Sequence, residues 1–347
     1  MGDKYRVLHV MLNKGNGGME EVFRQYNLVL SDFCKVISVI HKECKRKEIV
    51  TKGSSEVIEL NQKFGILSAI LHVRQIARKN QIDLAIIHDS PGLSITNFSF
   101  IGYNIKKISV RHTFFSSKFS CMRWKMKSDV RIVVNKKLAE IIGNNKTHVI
   151  YNSIGYQIPD NMSKKSLNKI IKIGFLGRLV QNKGVQFLVK ALGLLRNKRK
   201  LNCELVIGGD GKYLKSLKSI TTLYGLNDHV KFLGYVSDKT EFFDGIDVFC
   251  LPSLRETFGL VLLESMVNGI PIIASNISGI DEVVKHKENG ILFNPGDHHD
   301  LAEKIEKLII DDESRNSIIE GAFQTIQRHY TIERLRQDLH TVISNSV

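Results

Sequence analysis

The chain alternates short apolar runs with longer segments in which apolar residues recur at helical spacing. Apolar runs of about four to eight residues are typical of buried strands, and the intervening segments are long enough for helices. Parallel strands need such crossover connections, because consecutive strands must run in the same direction. The pattern therefore predicts doubly wound α/β domains, whose ligands bind at the carboxyl ends of the strands.

The pattern occurs as two series separated by a polar stretch. We predict a first domain over residues 1–155, a linker over 156–169, a second domain over 170–329, and a last helix over 330–347 that crosses back to the first domain. Strands of the first series are predicted at 5–12, 35–40, 82–88, 107–110, 129–134 and 147–150, with helices at 19–30, 64–79 and 92–101 and a polar loop at 42–53. Strands of the second are predicted at 170–176, 203–207, 229–233, 248–251, 270–274 and 289–292, with helices at 185–197, 258–267, 300–310 and 313–329.

The composition is that of a globular protein, with 347 residues, 43% of them hydrophobic and 24% charged. No stretch approaches the ~18–20 apolar residues that span a bilayer. The apolar run at 1–12 ends without a small-residue cleavage site, so we interpret it as a strand and not a signal peptide. The five cysteines are widely spaced and lack a Cys-x-x-Cys pair, which favours reduced thiols in a cytoplasm.

The net charge of +15 is concentrated in the first half of the chain. Residues 1–155 hold 25 Lys and Arg against 12 Asp and Glu, a net charge of +13, whereas residues 156–347 hold 25 against 23, a net charge of +2. Such a basic half indicates an anionic partner. A solvated, lysine-rich surface is the alternative.

Two carboxylates stand out in DVFCLPSLRETFGLVLLE, residues 247–264. Glu264 lies within the apolar run 260–267, and since carboxylates are rarely buried without a partner, we expect it to be bonded to a donor. The alternative is that Glu264 lies on the exposed face of the helix. Glu256 precedes the helix, where free backbone N–H groups can bind an anion. The residues that would supply these groups are Thr257, Phe258, Gly259 and Leu260.

Two further turns follow predicted strands. Gly17 and Gly18 stand between the first strand and the first helix, where glycine lets backbone N–H groups approach a phosphate. An ordinary β–α turn is the alternative. Arg178 and Lys183 flank the turn after residues 170–176, where two cations can clamp a diphosphate. A structural ion pair is the alternative.

Together these motifs resemble those of the retaining nucleotide-sugar glycosyltransferases of family 4. Glu256 and Glu264 resemble its E-x7-E motif, residues 177–184 its GRL-x3-KG motif, and residues 17–20 its GGxE loop. The resemblance spans almost the whole chain and is strongest from residue 170 onward.

The resemblance implies the GT-B fold, with two doubly wound Rossmann-like domains facing across a cleft and the first domain on the acceptor side. It implies that Glu264 bonds the ribose hydroxyls of the nucleotide, that Glu256 lies near the donor sugar, and that His112 lies beside that sugar. The alternative for His112 is a loop histidine whose hydrogen bonds are all made within the protein. We assign His88 a structural or acceptor-side role. The implied catalytic residues are His112, Glu256, Arg178 and Lys183, and the implied substrate-binding residues are Gly17, Gly18, Gly209, Val236, Thr257, Phe258, Gly259, Leu260 and Glu264.

The implied activity is transfer of a sugar, with retention of configuration, from a nucleotide-diphosphate sugar, with UDP preferred. The acceptor would be a glycan or lipid-linked molecule in cell-surface polysaccharide or lipopolysaccharide synthesis. We expect no cofactor and no metal, and the sequence has no Asp-x-Asp triplet. Arg178, Lys183 and the helix N-terminus would then neutralise the diphosphate.

Three further functional classes are weighed against this activity. A Rossmann dehydrogenase is disfavoured because no G-x-G-x-x-G follows a strand. A nucleotide-sugar epimerase of the same fold stays open, and so does a catalytically silent module that binds a nucleotide sugar.

The segment between Asp89 and Asp129 contains no acidic residue. A mixture of cations and large apolar side chains suits contact with anionic headgroups, so we predict peripheral association with the inner face of a membrane and a lipid-linked acceptor. Nucleic acid is not expected, since no RNA-binding fold surrounds the aromatics. The alternative is that this segment is a disordered basic loop whose apolar residues pack into the first domain. The residues concerned are Lys106, Lys107, Arg111, Phe114, Phe115, Lys118, Phe119, Met122, Arg123, Trp124, Lys125, Met126 and Lys127.

Overall fold

The structure, a computed structural model, describes residues 5–14, 17–44, 46–60, 65–125, 127–143, 145–155, 158–159 and 167–346. The chain forms two compact units, one of residues 1–156 with 331–347 and the other of residues 157–330. Each unit is built on its own parallel sheet. Within the described residues, no helix combines the length and apolar character needed to traverse a bilayer.

The sheet of the first unit is fully parallel, and its strands are β1 Tyr5–Met11, β2 Cys34–His41, β3 Glu56–Leu60, β4 Leu84–Ile87, β5 Lys106–Arg111, β6 Val130–Val133 and β7 Thr147–Val149. Their order is β3-β2-β1-β4-β5-β6-β7, so the winding reverses between β1 and β4. Ligands of such sheets bind at this switch point. The helices are α1 Gly18–Leu30, α2 Lys47–Val50, α3 Gly65–Lys79, α4 Ser90–Ser99, α5 Lys118–Lys125 and α6 Lys136–Ile142.

Asp89 joins the two strands at this switch point. Its carboxylate accepts hydrogen bonds from the backbone N–H groups of Leu12 and Asn13, at 2.5 and 2.6 Å, and from that of Gly92 at 2.7 Å. The last of these caps α4. Burial raises the pKa of Asp89. One carboxylate therefore holds the loop after β1 against the start of α4.

The sheet of the second unit is also fully parallel, and its strands are β8 Ile171–Leu176, β9 Cys203–Gly208, β10 Val230–Gly234, β11 Val248–Leu251, β12 Ile272–Ser275 and β13 Ile291–Phe293. Their order is β10-β9-β8-β11-β12-β13, which places the switch point between β8 and β11. The helices are α7 Val185–Asn197, α8 Leu214–Leu223, α9 Lys239–Asp244, α10 Leu260–Val267, α11 His298–Ile310 and α12 Asp312–His329.

The helix after α12 returns to the first unit. This helix, α13 Ile332–Ser344, packs on α1. Arg336 Nε lies 2.7 Å from the carboxylate of Asp32, and the rings of Phe33 and His340 meet edge to face at 5.1 Å between centroids. The first unit is therefore completed by residues that follow the second.

The predicted doubly wound architecture is confirmed, with strands and helices close to the predicted positions. The short elements α2, α5, α6, α8 and α9 and the strand β3 were missed. β3 has only five residues at the edge of its sheet, four of them partly or fully exposed, so its sequence lacks the continuous apolar run of a central strand.

Candidate active site

Two loops meet at the switch point of the second unit. A Cβ atom at position 184 would overlap the carbonyl oxygen of Pro252, and Gly184 has a left-handed φ of 72°. Only glycine permits both features at low cost. The N–H of Leu254 also donates to the carbonyl of Asn182 at 2.8 Å. The loop after β8 is thereby fixed against the loop after β11.

This contact places Lys183 beside Glu256. The two side chains form an ion pair, and both are largely buried. The other oxygen of Glu256 accepts from the N–H of Thr257 at 3.2 Å. Lys183 thus has the structural ion pair that was the alternative interpretation, and its partner is the carboxylate predicted to lie near the donor sugar.

Arg178 is not part of this pair. Its side chain is exposed at the carboxyl end of β8, and its guanidinium makes no hydrogen bond or ion pair with any residue that the structure describes. The switch point therefore brings together Lys183 and Glu256 and leaves the Arg178 guanidinium in solvent.

Glu264 lies in α10 and is only 8% exposed. Its Oε1 atom accepts a hydrogen bond from Lys239 Nζ at 2.5 Å. The expectation that this carboxylate is buried and bonded to a donor is confirmed. Lys239, at the start of α9, was missed, and no local signal in the sequence links it to Glu264.

The N-terminus of α10 differs from the prediction. The helix begins at Leu260, with Gly259 as N-cap at a φ of 81°, and not near Phe258. The N–H of Thr257, predicted to bind an anion, donates to Glu256. The ring of Phe258 packs against Tyr330 at 5.8 Å between centroids. Phe258 is thus a core side chain.

Gly209 and Val236 follow the neighbouring strands β9 and β10. The N–H of Gly209 donates to the carbonyl of Gly234 at 2.6 Å. A Cβ atom at position 209 would overlap the carbonyl of Gly177, and Gly209 has a φ of 127°. The predicted glycine loop therefore lies directly against the loop that carries Arg178.

In the first unit, Gly17 is the N-cap of α1, which begins at Gly18. The Gly17 N–H donates to Glu20 Oε2 at 3.1 Å, and the Glu20 N–H donates to the Gly17 carbonyl at 3.2 Å. Burial raises the pKa of Glu20. Residues 15 and 16 of the predicted phosphate loop lie outside the described residues. The Gly17 amide is thus used to cap its own helix.

His112 follows β5, and its Nε2 atom lies 2.9 Å from Nδ1 of His88. His88 Nε2 lies 2.7 Å from Nε2 of His9, and His9 Nδ1 lies 2.6 Å from Oδ1 of Asn27. The sequence analysis missed His9 and Asn27. The available signal was His9 itself, because a histidine in an otherwise apolar strand needs a buried partner.

Burial keeps these three rings uncharged near neutral pH. It lowers the pKa of His9 to about 3 and, together with the charge of Arg111, the pKa of His112 to about 4. Burial, together with the two neighbouring histidines, holds the pKa of His88 well below its usual range.

The predicted membrane-facing segment contains a helix, α5, and is not a disordered loop. Trp124 is buried, whereas Phe119 and Met122 are 64% and 56% exposed. Lys127 is turned inward, with its Nζ atom 2.9 Å from Ser94 Oγ. The Arg123 side chain and Met126 lie outside the described residues. Part of the predicted surface is therefore core, and α5 exposes Phe119 and Met122.

Among the described residues, no three His, Cys, Asp or Glu side chains are grouped so as to hold a metal ion.

Residues 157–325 match the sequence profile of the family described as glycosyl transferases group 1. The second unit is a group 1 glycosyltransferase domain. The family resemblance predicted from the sequence is confirmed.

Two curated relatives with named roles match part of the chain. The capsular polysaccharide biosynthesis glycosyltransferase CapM of Staphylococcus aureus is 28% identical over 192 residues, which are 54% of this chain and 50% of CapM. The lipopolysaccharide core biosynthesis glycosyltransferase LpsE of Rhizobium meliloti is 29% identical over 160 residues, 46% of each chain. The chain thus spans about half the length of these relatives.

Solved structures match the chain over nearly its whole length. HepE of Anabaena, in a crystal structure with UDP, is 21% identical, with a TM-score of 0.86 over 98% of this chain and 100% of that chain. HepE has also been crystallised with UDP-glucose. The match confirms the predicted GT-B fold.

Proposed function

We propose that this protein is a retaining, metal-independent glycosyltransferase that moves a sugar from a nucleotide-diphosphate sugar to a glycan or lipid-linked acceptor. The observation that carries the proposal is the Lys183–Glu256 pair at the switch point of a group 1 glycosyltransferase domain. A cation and a carboxylate lie together where α/β sheets bind their ligands. Buried Glu264 lies eight residues further along the chain, in α10.

The chemistry assigned to this site breaks the bond between the anomeric carbon and the diphosphate oxygen. The acceptor hydroxyl oxygen forms the new bond to that carbon, the diphosphate leaves with the electron pair of the broken bond, and the hydroxyl proton passes to the departing diphosphate. Lys183 and the exposed Arg178 supply positive charge where negative charge develops, which is the most effective place for it. Retention of configuration rests on the resemblance of Glu256 and Glu264 to the E-x7-E motif.

The donor and acceptor classes draw on the related proteins. HepE binds UDP and UDP-glucose with the same fold, which supports a UDP-sugar as donor. CapM and LpsE serve capsule and lipopolysaccharide synthesis, which supports a cell-surface polysaccharide or lipopolysaccharide acceptor.

Peripheral contact with the inner face of a membrane is part of the proposal. Phe119 and Met122 are three residues apart on α5, and residues at this spacing share a helix face. Lys118 is exposed beside them. Exposed apolar side chains next to cations favour an interfacial helix at anionic lipid. The net charge of +13 over residues 1–155 acts in the same direction.

A panel of nucleotide sugars, scored for binding by thermal shift and for hydrolysis, tests the activity without knowledge of the acceptor. We expect one donor, carrying UDP, to stabilise the protein and to be hydrolysed slowly. Binding without turnover would identify a silent binding module, and conversion of one donor sugar into another would identify an epimerase. Activity should survive excess chelator, and a complete loss that manganese restores would overturn the metal-free mechanism.

A further inference from the structure

A line of hydrogen bonds runs through the core of the first unit and ends at His112. It joins Asn27 on α1, His9 on β1, His88 after β4 and His112 after β5. The distances along the line are 2.6 Å from Asn27 to His9, 2.7 Å from His9 to His88 and 2.9 Å from His88 to His112. At each of these contacts one atom must donate and the other must accept. Which nitrogen of one ring carries the proton therefore determines which nitrogen of the next ring does.

The far end of the line has a fixed direction. Asn27 Nδ2 donates to the carbonyl of Val50 at 3.0 Å, and Asn27 Oδ1 accepts from Ser38 Oγ at 3.0 Å. These two bonds orient the amide with its oxygen towards His9. A carbonyl oxygen only accepts hydrogen bonds, so Nδ1 of His9 must carry a proton.

The surroundings of His9 and His88 keep both rings neutral. His9 is 0% exposed and stacks on Phe23 at 3.8 Å between centroids. His88 meets the rings of Phe23 and Tyr26 edge to face. In the described part of the chain, no carboxylate is hydrogen-bonded to His9, His88 or His112. A buried imidazolium without a counter-charge is costly.

A neutral imidazole has one N–H group, so the direction passes along the line. His9 donates from Nδ1 and must accept at Nε2. His88 then donates from Nε2 to His9 and accepts at Nδ1. His112 donates from Nε2 to His88, which leaves its Nδ1 atom with a free lone pair.

We propose that Asn27, His9 and His88 are positioning residues that hold His112 in the Nε2-protonated tautomer, so that Nδ1 accepts a hydrogen bond from a hydroxyl group of a bound sugar. This inference rests on the proposed function. An Nδ1 lone pair accepts from a hydroxyl but repels a carboxylate oxygen. The site therefore selects a sugar that presents a hydroxyl at this position over one that presents an ionised carboxylate.

Nitrogen NMR of the full chain with ¹⁵N-labelled histidine reads the tautomer directly. At pH 7 we expect a pyrrole-type signal for Nε2 of His112 and a pyridine-type signal for Nδ1, assigned by their loss in His112→Gln. Exposed His72 provides an internal reference. A pyrrole-type Nδ1 signal, or averaged signals at both nitrogens, would overturn the proposal, and this measurement needs no variant in the core.

Two variants test whether the line acts on His112. His88→Phe keeps a ring in the cluster but removes both bridging nitrogens, so the His112 signals should average. Tyr26→Phe perturbs the same rings without breaking a bond of the line and should retain the wild-type signals. A fixed tautomer in His88→Phe would contradict the inference.

The hydroxyl contact has its own test. UDP-glucose, or whichever donor the panel shows to bind, should shift the Nδ1 signal of His112, whereas UDP alone should not. An unchanged Nδ1 signal with the donor bound would remove the hydroxyl contact and leave glycosyl transfer intact. Absence of turnover with every donor would instead remove the proposed function and leave the tautomer measurement unaffected.

Discussion

Lys239 Nζ and Glu264 Oε1 lie 2.5 Å apart, although 25 residues separate them in the chain. The two ends of this pair differ in environment, since the Lys239 side chain is 48% exposed and that of Glu264 is 10% exposed. An exposed lysine is readily solvated elsewhere, whereas the buried carboxylate needs another donor if the lysine leaves. A hydroxyl group of a bound ligand can take that place.

Replacing Glu264 should therefore weaken donor binding in a graded way. Hydrogen bonds to charged groups contribute ~1.5–3 kcal/mol, so Glu264→Ala should raise the dissociation constant of the UDP-sugar about tenfold to a hundredfold. Glu264→Gln should retain part of the affinity, because an amide oxygen still accepts a bond from a ribose hydroxyl. Calorimetric titration with the donor measures both.

Two controls separate this role from a structural one. Lys239→Ala removes the partner but leaves the carboxylate, and it should bind donor nearly as well as the wild type. Glu320→Ala, on the exposed face of α12, controls for loss of a negative charge. Equal donor affinity in the wild type and Glu264→Ala would remove the ribose assignment.

Arg178 and Lys183 should affect turnover more than donor binding. If both cations act on charge that develops in the transition state, Arg178→Ala and Lys183→Ala should each lower kcat about tenfold or more while KM changes little. Arg178→Ala removes no contact among described residues, so its Tm should match that of the wild type. Lys183→Ala also leaves Glu256 without its partner.

Initial-rate kinetics of donor hydrolysis measures both constants, with Lys215→Ala on the exposed face of α8 as the matched control. Unchanged kcat with raised KM would show that the two cations only bind the donor in its ground state.

The stability of the first unit should fall as the pH falls below about 6.5. The unfolded chain protonates its histidines near that pH, whereas the folded unit protonates His112 near pH 4 and His9 near pH 3. The unfolded state therefore holds more protons between pH 6.5 and 4, which lowers the free energy of unfolding by about 1.4 kcal/mol per pH unit for each such histidine. The charged and titratable neighbours of this cluster include Arg111, His88 and Tyr26.

Trp124 reports on this unit alone, because it is the only tryptophan and is buried in α5. Urea unfolding followed by its fluorescence at pH 7, 6 and 5 should show a shallower pH dependence for His112→Gln than for the wild type. His72→Gln, at an exposed position, should behave like the wild type. The same slope in all three proteins would mean that His112 is not held neutral.

The α5 surface should bind anionic vesicles. Each basic residue near such a surface contributes about 1 kcal/mol, or roughly fivefold in affinity. Lys118→Ser combined with Met122→Ser should therefore reduce binding to vesicles that contain phosphatidylserine by more than fivefold, and salt should weaken the binding of the wild type. Sedimentation with anionic and with neutral vesicles measures the difference.

The matched control is Lys215→Ser with Leu223→Ser, which removes an exposed cation and an exposed apolar residue from α8 of the second unit. Its binding should equal that of the wild type. Indifference of the wild type to lipid charge would remove the membrane part of the proposal.

The sequence predicted those features that depend on local pattern. β11 and α7 begin and end at the predicted residues, since a buried strand and an amphipathic helix are each encoded within one short stretch. The burial of Glu264 followed from the apolar residues on both sides of it. Helix α5 was missed because its sequence, KFSCMRWK, has only a weak helical periodicity.

Pairs between distant segments were not predictable in the same way. Lys239 reaches Glu264, and His9 reaches His88 across 79 residues, only because parallel strands bring successive crossovers to one edge of the sheet. No periodicity in either segment encodes such a partner. Lys183 was expected to act beside Arg178, yet its described contact is with Glu256, which depends on how closely two loops approach.

The return of α13 to the first unit affects the order in which the chain folds. During synthesis residues 1–156 leave the ribosome first, but the helix that covers α1 leaves only after the whole second unit. Domains generally fold as units during synthesis. The second unit therefore has all of its own residues before the first does, and until α13 arrives the face of α1 that it covers stays exposed.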